Sequence, residues 1–269
     1  MFGTSKTFEW LIGRLKGVEP MALLALAFVS GGVLLFQWLA GEVLEGETTG
    51  LDETVLIALR RPDDLARPIG SAWFSHAATD ITSLGGITVL TLVTFLTVGY
   101  LLSTRRTRMA LFVFGAVAGG WLLSTTLKLV VARHRPDIVP HLVDINDFSF
   151  PSGHAMLSAV TYLTLGGLLA RGQATRAARI FTLAAGVFLT LVIGSSRVVL
   201  GVHYPTDVLG GWCAGATWAV ACWYLAHRLL PGGRQLSATC PELFQPLPAP
   251  VHSERPGQVG DADVSESDR

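Results

Sequence analysis

The sequence predicts an all-α integral membrane protein, a six-helix bundle carrying a short interfacial helix and a disordered C-terminal tail. Three observations carry that expectation. Half of the 269 residues are hydrophobic. Only 15% are charged, against about 25% in soluble domains, and the mean hydropathy is +0.49. Apolar runs near 21–40, 82–103, 109–131, 155–170, 179–196 and 208–229 each come close to the roughly 20 residues that cross a bilayer as a helix.

The first run, Met21 to Ala40, follows Lys6, Arg14 and Lys16 in the manner of a secretory signal. It is longer than a signal core and has no clear A-x-A cleavage site, so it reads as an uncleaved span. The segment 41–81 is long for a connector. Within it, Leu51 to Arg60 reads as a short amphipathic helix lying in the interface, with an irregular acidic loop as the alternative. The glycines of the later runs sit inside spans, where membrane helices tolerate them. Cys213 and Cys222 share one apolar run and Cys240 lies beyond the last. Three cysteines are too few for a disulfide framework and read as reduced and structural. From about residue 232 the chain turns rich in Pro, Ser, Glu and Asp, the composition of disorder. The expected organisation is one membrane domain over 1–231 and a tail over 232–269.

Basic residues in the connections orient the bundle. The N-terminus, the Arg105-Arg106-Thr107-Arg108 turn, Arg171, Arg176, Arg179, Arg228 and Arg234 fall on one side, which is read as cytoplasmic with both termini. The segments 41–81, 132–154 and 197–207 fall on the other. With 20 basic and 20 acidic residues the formal net charge is zero, so no global field invites nucleic acid.

Three polar blocks gather on that second side. Lys128 precedes Arg135-Pro136 by seven residues. Pro151-Ser152-Gly153-His154 stands directly before the fourth run. Ser196-Arg197, His203 and Asp207 follow the fifth. Singly, each has a bland reading: a snorkelling lysine, a turn with a helix cap, an interfacial arginine, a structural histidine. Together they place three cations, two histidines and a carboxylate at one face of spans otherwise nearly free of charge, the pattern of a functional site. Lys128 and Arg135 are about two helical turns apart, so a continuing helix presents both on one face to an anion. Ser152 is placed to cap the fourth span and aim the amides of Gly153 and His154 at phosphate. Pro205 suits the first turn of the sixth span, which sets Asp207 four residues after His203. A carboxylate on one imidazole nitrogen fixes the tautomer and frees the other to attack. His203 therefore reads as nucleophile, Asp207 as its orienter and His154 as general acid.

The blocks resemble the signature of the type 2 phosphatidic acid phosphatase family, K-x6-R-P, P-S-G-H and S-R-x5-H-x3-D. All eleven specified positions are met, from Lys128, Arg135 and Pro136 through Pro151–His154 to Ser196, Arg197, His203 and Asp207. A looser similarity runs from about 80 to 225, through Leu84-Gly85-Gly86 and Leu200–Pro205. The resemblance implies a helical bundle that hydrolyses a phosphomonoester or pyrophosphate through a phosphohistidine, with no metal or other cofactor. It implies the same roles for His203, Asp207 and His154, and assigns the phosphate oxygens to Lys128, Arg135, Ser152, Gly153 and Arg197.

The substrate class expected from this placement is a membrane lipid phosphate or pyrophosphate. Polyprenyl pyrophosphate (undecaprenyl in bacteria) stands first, with phosphatidic acid and phosphatidylglycerol phosphate behind it. The site is expected at the outer face of a bacterial inner membrane. A phosphotransferase with the same phosphohistidine is the nearest alternative. A transporter fits poorly, because the charges collect at one face and not along a pathway. A metal hydrolase built on His76, His134 and His141 lacks the i, i+4 helical spacing of such sites. Haloperoxidases share a similar histidine signature but are soluble chains.

Overall fold

The computed structural model describes residues 20–143 and 147–229. The expected tail, the basic N-terminal residues, Asp144, Arg234 and Cys240 lie outside the described residues. In chain order the elements are α1 (Pro20–Glu45), α2 (Thr49–Ala58), β1 (Arg60–Arg61), β2 (Asp64–Pro68), α3 (Ala72–Ser83), α4 (Ile87–Ser103), α5 (Thr107–Val131), α6 (Gly153–Arg171), α7 (Arg176–Val199) and α8 (Pro205–Leu229). All six apolar runs are helical. Among the described residues, α1, α5, α6, α7 and α8 are each long and apolar enough to cross a membrane. The sixth crossing departs from expectation. Among the described residues, the only further candidate is α3 and α4, which are long and apolar enough together but are bent by 44° at their junction. The break falls at Leu84–Gly86, where turn bonds from Gly85 N to Thr82 O and Gly86 N to Ser83 O replace the helical ladder. Glycine's permissive backbone suits such a break.

Packing centres on α6. Ala155, Met156, Ala159 and Val160 on it have no exposed surface, and α7 and α8 flank it. With lipid outside, helices gain little from burying apolar groups alone and rely on close approach through small residues. Here α8 comes so near that a Cβ on Gly211 would lie 2.7 Å from Ser152 O, and one on Gly215 would lie 2.6 Å from Met156 O. Cys213 packs across to α1, with Sγ 3.3 Å from Gly32 O. The outward faces keep large apolar side chains exposed, among them Leu24, Phe95, Phe181 and Phe188.

The short helix expected at 51–60 is present as α2, but it does more than lie on a surface. Asp52 and Leu56 are fully buried, and Asp52 bonds to the start of α8. The hairpin β1–β2 was not expected. Its strands pair Arg60 with Pro68 and Arg61 with Asp64 across a bulge. Arg60 reaches Val199 O at 3.0 Å, a cation at the carbonyl end of α7. Gly201, at φ 75°, then turns the chain so tightly under Arg60 that a Cβ there would meet its Nη2 at 2.3 Å. The ends of α5 and α7 and the starts of α6 and α8 thus converge at one end of the bundle. The basic turn at 104–106 and the 172–175 connection lie at the opposite end.

Candidate active site

Lys128 occupies the last turn of α5. The helix does not continue to Arg135, contrary to the two-turn expectation. Ala132 takes a left-handed conformation (φ 49°, ψ 33°), and its N–H closes on Lys128 O at 2.9 Å. A residue in that region terminates a helix. The loop that follows nonetheless returns Arg135 beside Lys128, and both meet Asp147. Lys128 Nζ donates to Asp147 Oδ2 at 2.5 Å and to Phe148 O at 2.6 Å. Arg135 bonds Asp147 Oδ1 through Nη2 and the Asp147 carbonyl through Nε at 2.8 Å. Desolvation pushes the Asp147 carboxyl up, but the bonds and charges of Lys128 and Arg135 outweigh it and hold the group at about 2. It is an anion across the physiological range.

His203 sits beyond α7 on the Leu200–Tyr204 turn and is 1% exposed. Arg135 Nη1 donates to Val202 O at 2.5 Å and lies 3.1 Å from His203 Nε2. A guanidinium only donates, so the partners assign the lone pair to Nε2 and the ring proton to Nδ1. Nδ1 faces Ser149 Oγ at 3.3 Å and Asp207 Oδ2 at 3.5 Å. Desolvation first, and then the charges of Arg135, Arg197 and Lys128, lower the His203 pKa well below its ordinary value. Its resting form is the neutral imidazole.

Asp207 is fully buried. It stands in the first turn of α8 and reaches back through Oδ2 to the Tyr204 amide at 2.8 Å, the acidic half of a capping box. Ser149 Oγ donates to the same oxygen. Oδ1 accepts from Arg133 Nη1 at 2.7 Å. Ser149 and Arg133 were not singled out in the sequence. The nearest signals were their places beside Pro151–His154 and between Lys128 and Arg135.

Of the remaining predicted residues, three line one cavity of about 530 Å³ with Lys128, Arg135, Asp147 and His203: Gly153 and His154 from the start of α6, and Arg197 from the end of α7. Arg197 is 2% exposed and donates once, through Nη1 to Thr82 Oγ1 at 3.2 Å. Its Nε and Nη2 have no partner. Buried guanidinium donors left open are costly, and an anion in the cavity would satisfy them. Ser152 departs from expectation, since it does not line the cavity. It is the N-cap residue of α6, but its side chain makes no cap bond and its Oγ is buried without a partner. Its own amide donates to Asp207 O at 2.9 Å. Of the other histidines, none of His76, His134 and His141 lines the cavity, and His141 is bonded at 2.6 Å to Pro136 O.

Fold and site together define a multi-pass helical membrane protein with a buried histidine–carboxylate pair behind a cation-lined cavity. The chain belongs to the PAP2 superfamily, whose family model matches residues 109–231. Phosphatidylglycerophosphatase B of Bacillus subtilis (strain 168) is 34% identical over 190 residues, which cover 68% of this chain and 86% of that protein. Decaprenylphosphoryl-5-phosphoribose phosphatase of Mycobacterium tuberculosis is 34% identical over 98 residues, 35% of this chain and 49% of that one. The crystal structure of a transmembrane PAP2 type phosphatidylglycerolphosphate phosphatase from Bacillus subtilis superposes with a TM-score of 0.69 at 26% identity, covering 76% of this chain and 98% of that chain.

Proposed function

We propose that the protein removes a terminal phosphate from a membrane lipid through a phosphohistidine on His203. The observation that carries the lipid assignment is a shared wall. Ile87, Trp121 and Leu157 line the catalytic cavity and also an apolar groove of about 350 Å³ between α4, α5 and α6. A phosphate in the cavity and a hydrocarbon tail in the groove belong to one molecule. The Bacillus relative is named for phosphatidylglycerophosphate, and the mycobacterial one for a decaprenyl-linked sugar phosphate. With the longer coverage of the former, phosphatidylglycerol phosphate is the first substrate to test and polyprenyl pyrophosphate the second. The basic connections at the opposite end of the bundle support a site facing the cell exterior or periplasm, with both termini cytoplasmic.

In this reading the phosphate oxygens take the open donors of Arg197, the amides at the start of α6, and Lys128 and Arg135 in place of Asp147. His203 Nε2 attacks phosphorus as the bond to the leaving oxygen breaks, and His154 gives that oxygen its proton. Water then attacks the phosphohistidine, losing its proton to His154, and phosphate leaves. The preorganised cations meet the charge on the equatorial oxygens, the role a metal would otherwise fill. A lipid hydroxyl in place of water makes the same protein a phosphotransferase. Free phosphate against phosphorylated acceptor separates the two.

The test is phosphate release by the purified protein from phosphatidylglycerol phosphate, phosphatidic acid, polyprenyl pyrophosphate and a soluble phosphomonoester. A soluble ester turning over best would remove the lipid assignment. A second measurement isolates the groove. Ala118 lines it and faces outward, so Ala118→Trp is expected to raise KM for long-chain lipids about 10-fold or more. A short-chain phosphate, which does not need the groove, keeps its wild-type constants.

The pH profile follows from the depressed pKa of His203. A lowered pKa leaves the nucleophile neutral above it, so acidification from pH 8 through 6.5 does not protonate it. The acid limb of kcat/KM is therefore expected below pH 6.5, the ordinary histidine value. An acid limb at or above 6.5 in kcat/KM contradicts His203 as the attacking group.

A further inference from the structure

A buried group of three charges behind the site has no part in phosphate contact. Arg133 lies between two fully buried carboxylates, Asp52 of α2 and Asp207 of α8. Its Nη2 donates to Asp52 Oδ2 at 2.8 Å, and its Nη1 to Asp207 Oδ1 at 2.7 Å and Thr206 Oγ1 at 2.8 Å. The guanidinium carbon sits 4.2 Å over the Tyr204 ring, in the range of a cation–π contact. Asp52 is fixed in turn by Thr206, whose amide donates to Oδ1 at 3.1 Å and whose hydroxyl donates to Oδ2 at 2.6 Å. A buried ion cluster is a poor source of stability, because desolvation offsets the attraction. This one divides the labour of the Asp207 carboxylate. Arg133 takes Oδ1, which leaves Oδ2 for Ser149, the Tyr204 amide and the His203 side.

We propose that Arg133, anchored by Asp52, is a positioning residue that holds the Asp207 carboxylate in one rotation, and so keeps the His203 ring proton on Nδ1 and the lone pair on Nε2. Arg133 does not line the phosphate cavity, so its removal acts on the nucleophile and not on substrate binding. Outer partners of a working histidine cost about 10- to 100-fold when removed from metal sites, and the same range is expected here. The inference rests on His203 as nucleophile.

The experiment uses the full-length protein in detergent with the best lipid phosphate as substrate and orthovanadate as inhibitor. Arg133→Gln is expected to lower kcat 10- to 100-fold, with KM and the vanadate inhibition constant within about 3-fold of wild type. Arg133→Lys, which keeps the charge but not the fork, is expected to recover part of that loss and to remain several-fold below wild type. In an Asp207→Asn background, Arg133→Gln is expected to cost little more, because residues acting as a unit are not additive. A wild-type kcat in either Arg133 variant overturns the proposal. So does full additivity with Asp207→Asn, or a parallel loss of vanadate affinity, which marks a collapsed site. Should Arg133→Gln fail to fold, the Arg133→Lys constants decide alone. His203→Ala is the control that separates the two readings. Activity surviving in it overturns the phosphohistidine and this proposal together, whereas an inactive His203→Ala beside fully active Arg133 variants overturns only the latter.

Discussion

His203→Ala is expected to lose turnover by at least about 10⁴-fold while still binding lipid phosphate. Removing the nucleophile of a covalent mechanism leaves only the rate that oriented binding supplies. The cavity that binds is built by other residues, since Lys128, Arg135 and Arg197 keep their positions on α5, the following loop and α7. Rapid quench with substrate labelled in the terminal phosphate is the decisive measurement. Wild type is expected to carry an acid-labile phosphoryl group, and His203→Ala none. His203 is fully buried, so the truncation leaves a cavity and a lower Tm is expected beside the lost turnover. Substantial turnover in His203→Ala would sink the covalent mechanism.

Asp207→Asn is expected to reduce kcat by about 10³- to 10⁴-fold, the scale seen when an orienting carboxylate becomes an amide and the imidazole takes the wrong tautomer. This substitution also costs stability. The carboxylate accepts bonds from Arg133, Ser149 and the Tyr204 amide, and an amide offers one acceptor oxygen where two are used. Whichever way the amide is turned, its NH2 meets a donor, Arg133 on one side or the Tyr204 N–H on the other. Arg133 keeps Asp52, which limits the damage. The expected result is a fall in kcat with little change in KM, accompanied by a lower Tm in the same detergent. A variant of wild-type kcat would remove Asp207 from the chemistry.

The stability cost of Asp207→Asn comes from partners distant in sequence, which marks where sequence reading stops. Local chemistry was legible. The four-residue step from His203 to Asp207, the proline that starts α8 and the cations at span ends all announce themselves by residue type and spacing. Lys128, Arg135, Gly153, His154, Arg197 and His203 duly share one cavity. Asp52 and Ser149 were not legible as site residues, because their partners are distant: Arg133 lies 81 residues from Asp52, and Asp207 lies 58 from Ser149. An acid on a short amphipathic helix ordinarily faces water, and only the docking of α2 on α8 buries Asp52. The end of α5 was hidden for a different reason. Ala132 is not a glycine, so nothing in its side chain signals a left-handed turn, and Lys128 and Arg135 converge through a loop instead of a shared helical face. The hairpin at 60–68 had a turn cue in Arg61-Pro62-Asp63-Asp64, but its strands are two and five residues long, too short for a periodicity to register.

Asp147 gives the site its own resident anion. With its carboxylate across Lys128 and Arg135, the resting cavity is closer to electrically balanced than its three cations suggest. Binding is then an exchange of one anion for another, and any measured affinity is a difference between two tenancies. Small inorganic anions, which bring charge but no tail, compete poorly with an occupant that is covalently part of the chain. A lipid phosphate recovers in the apolar groove what it spends in dislodging the carboxylate, so the exchange itself discriminates for molecules that are held at both ends.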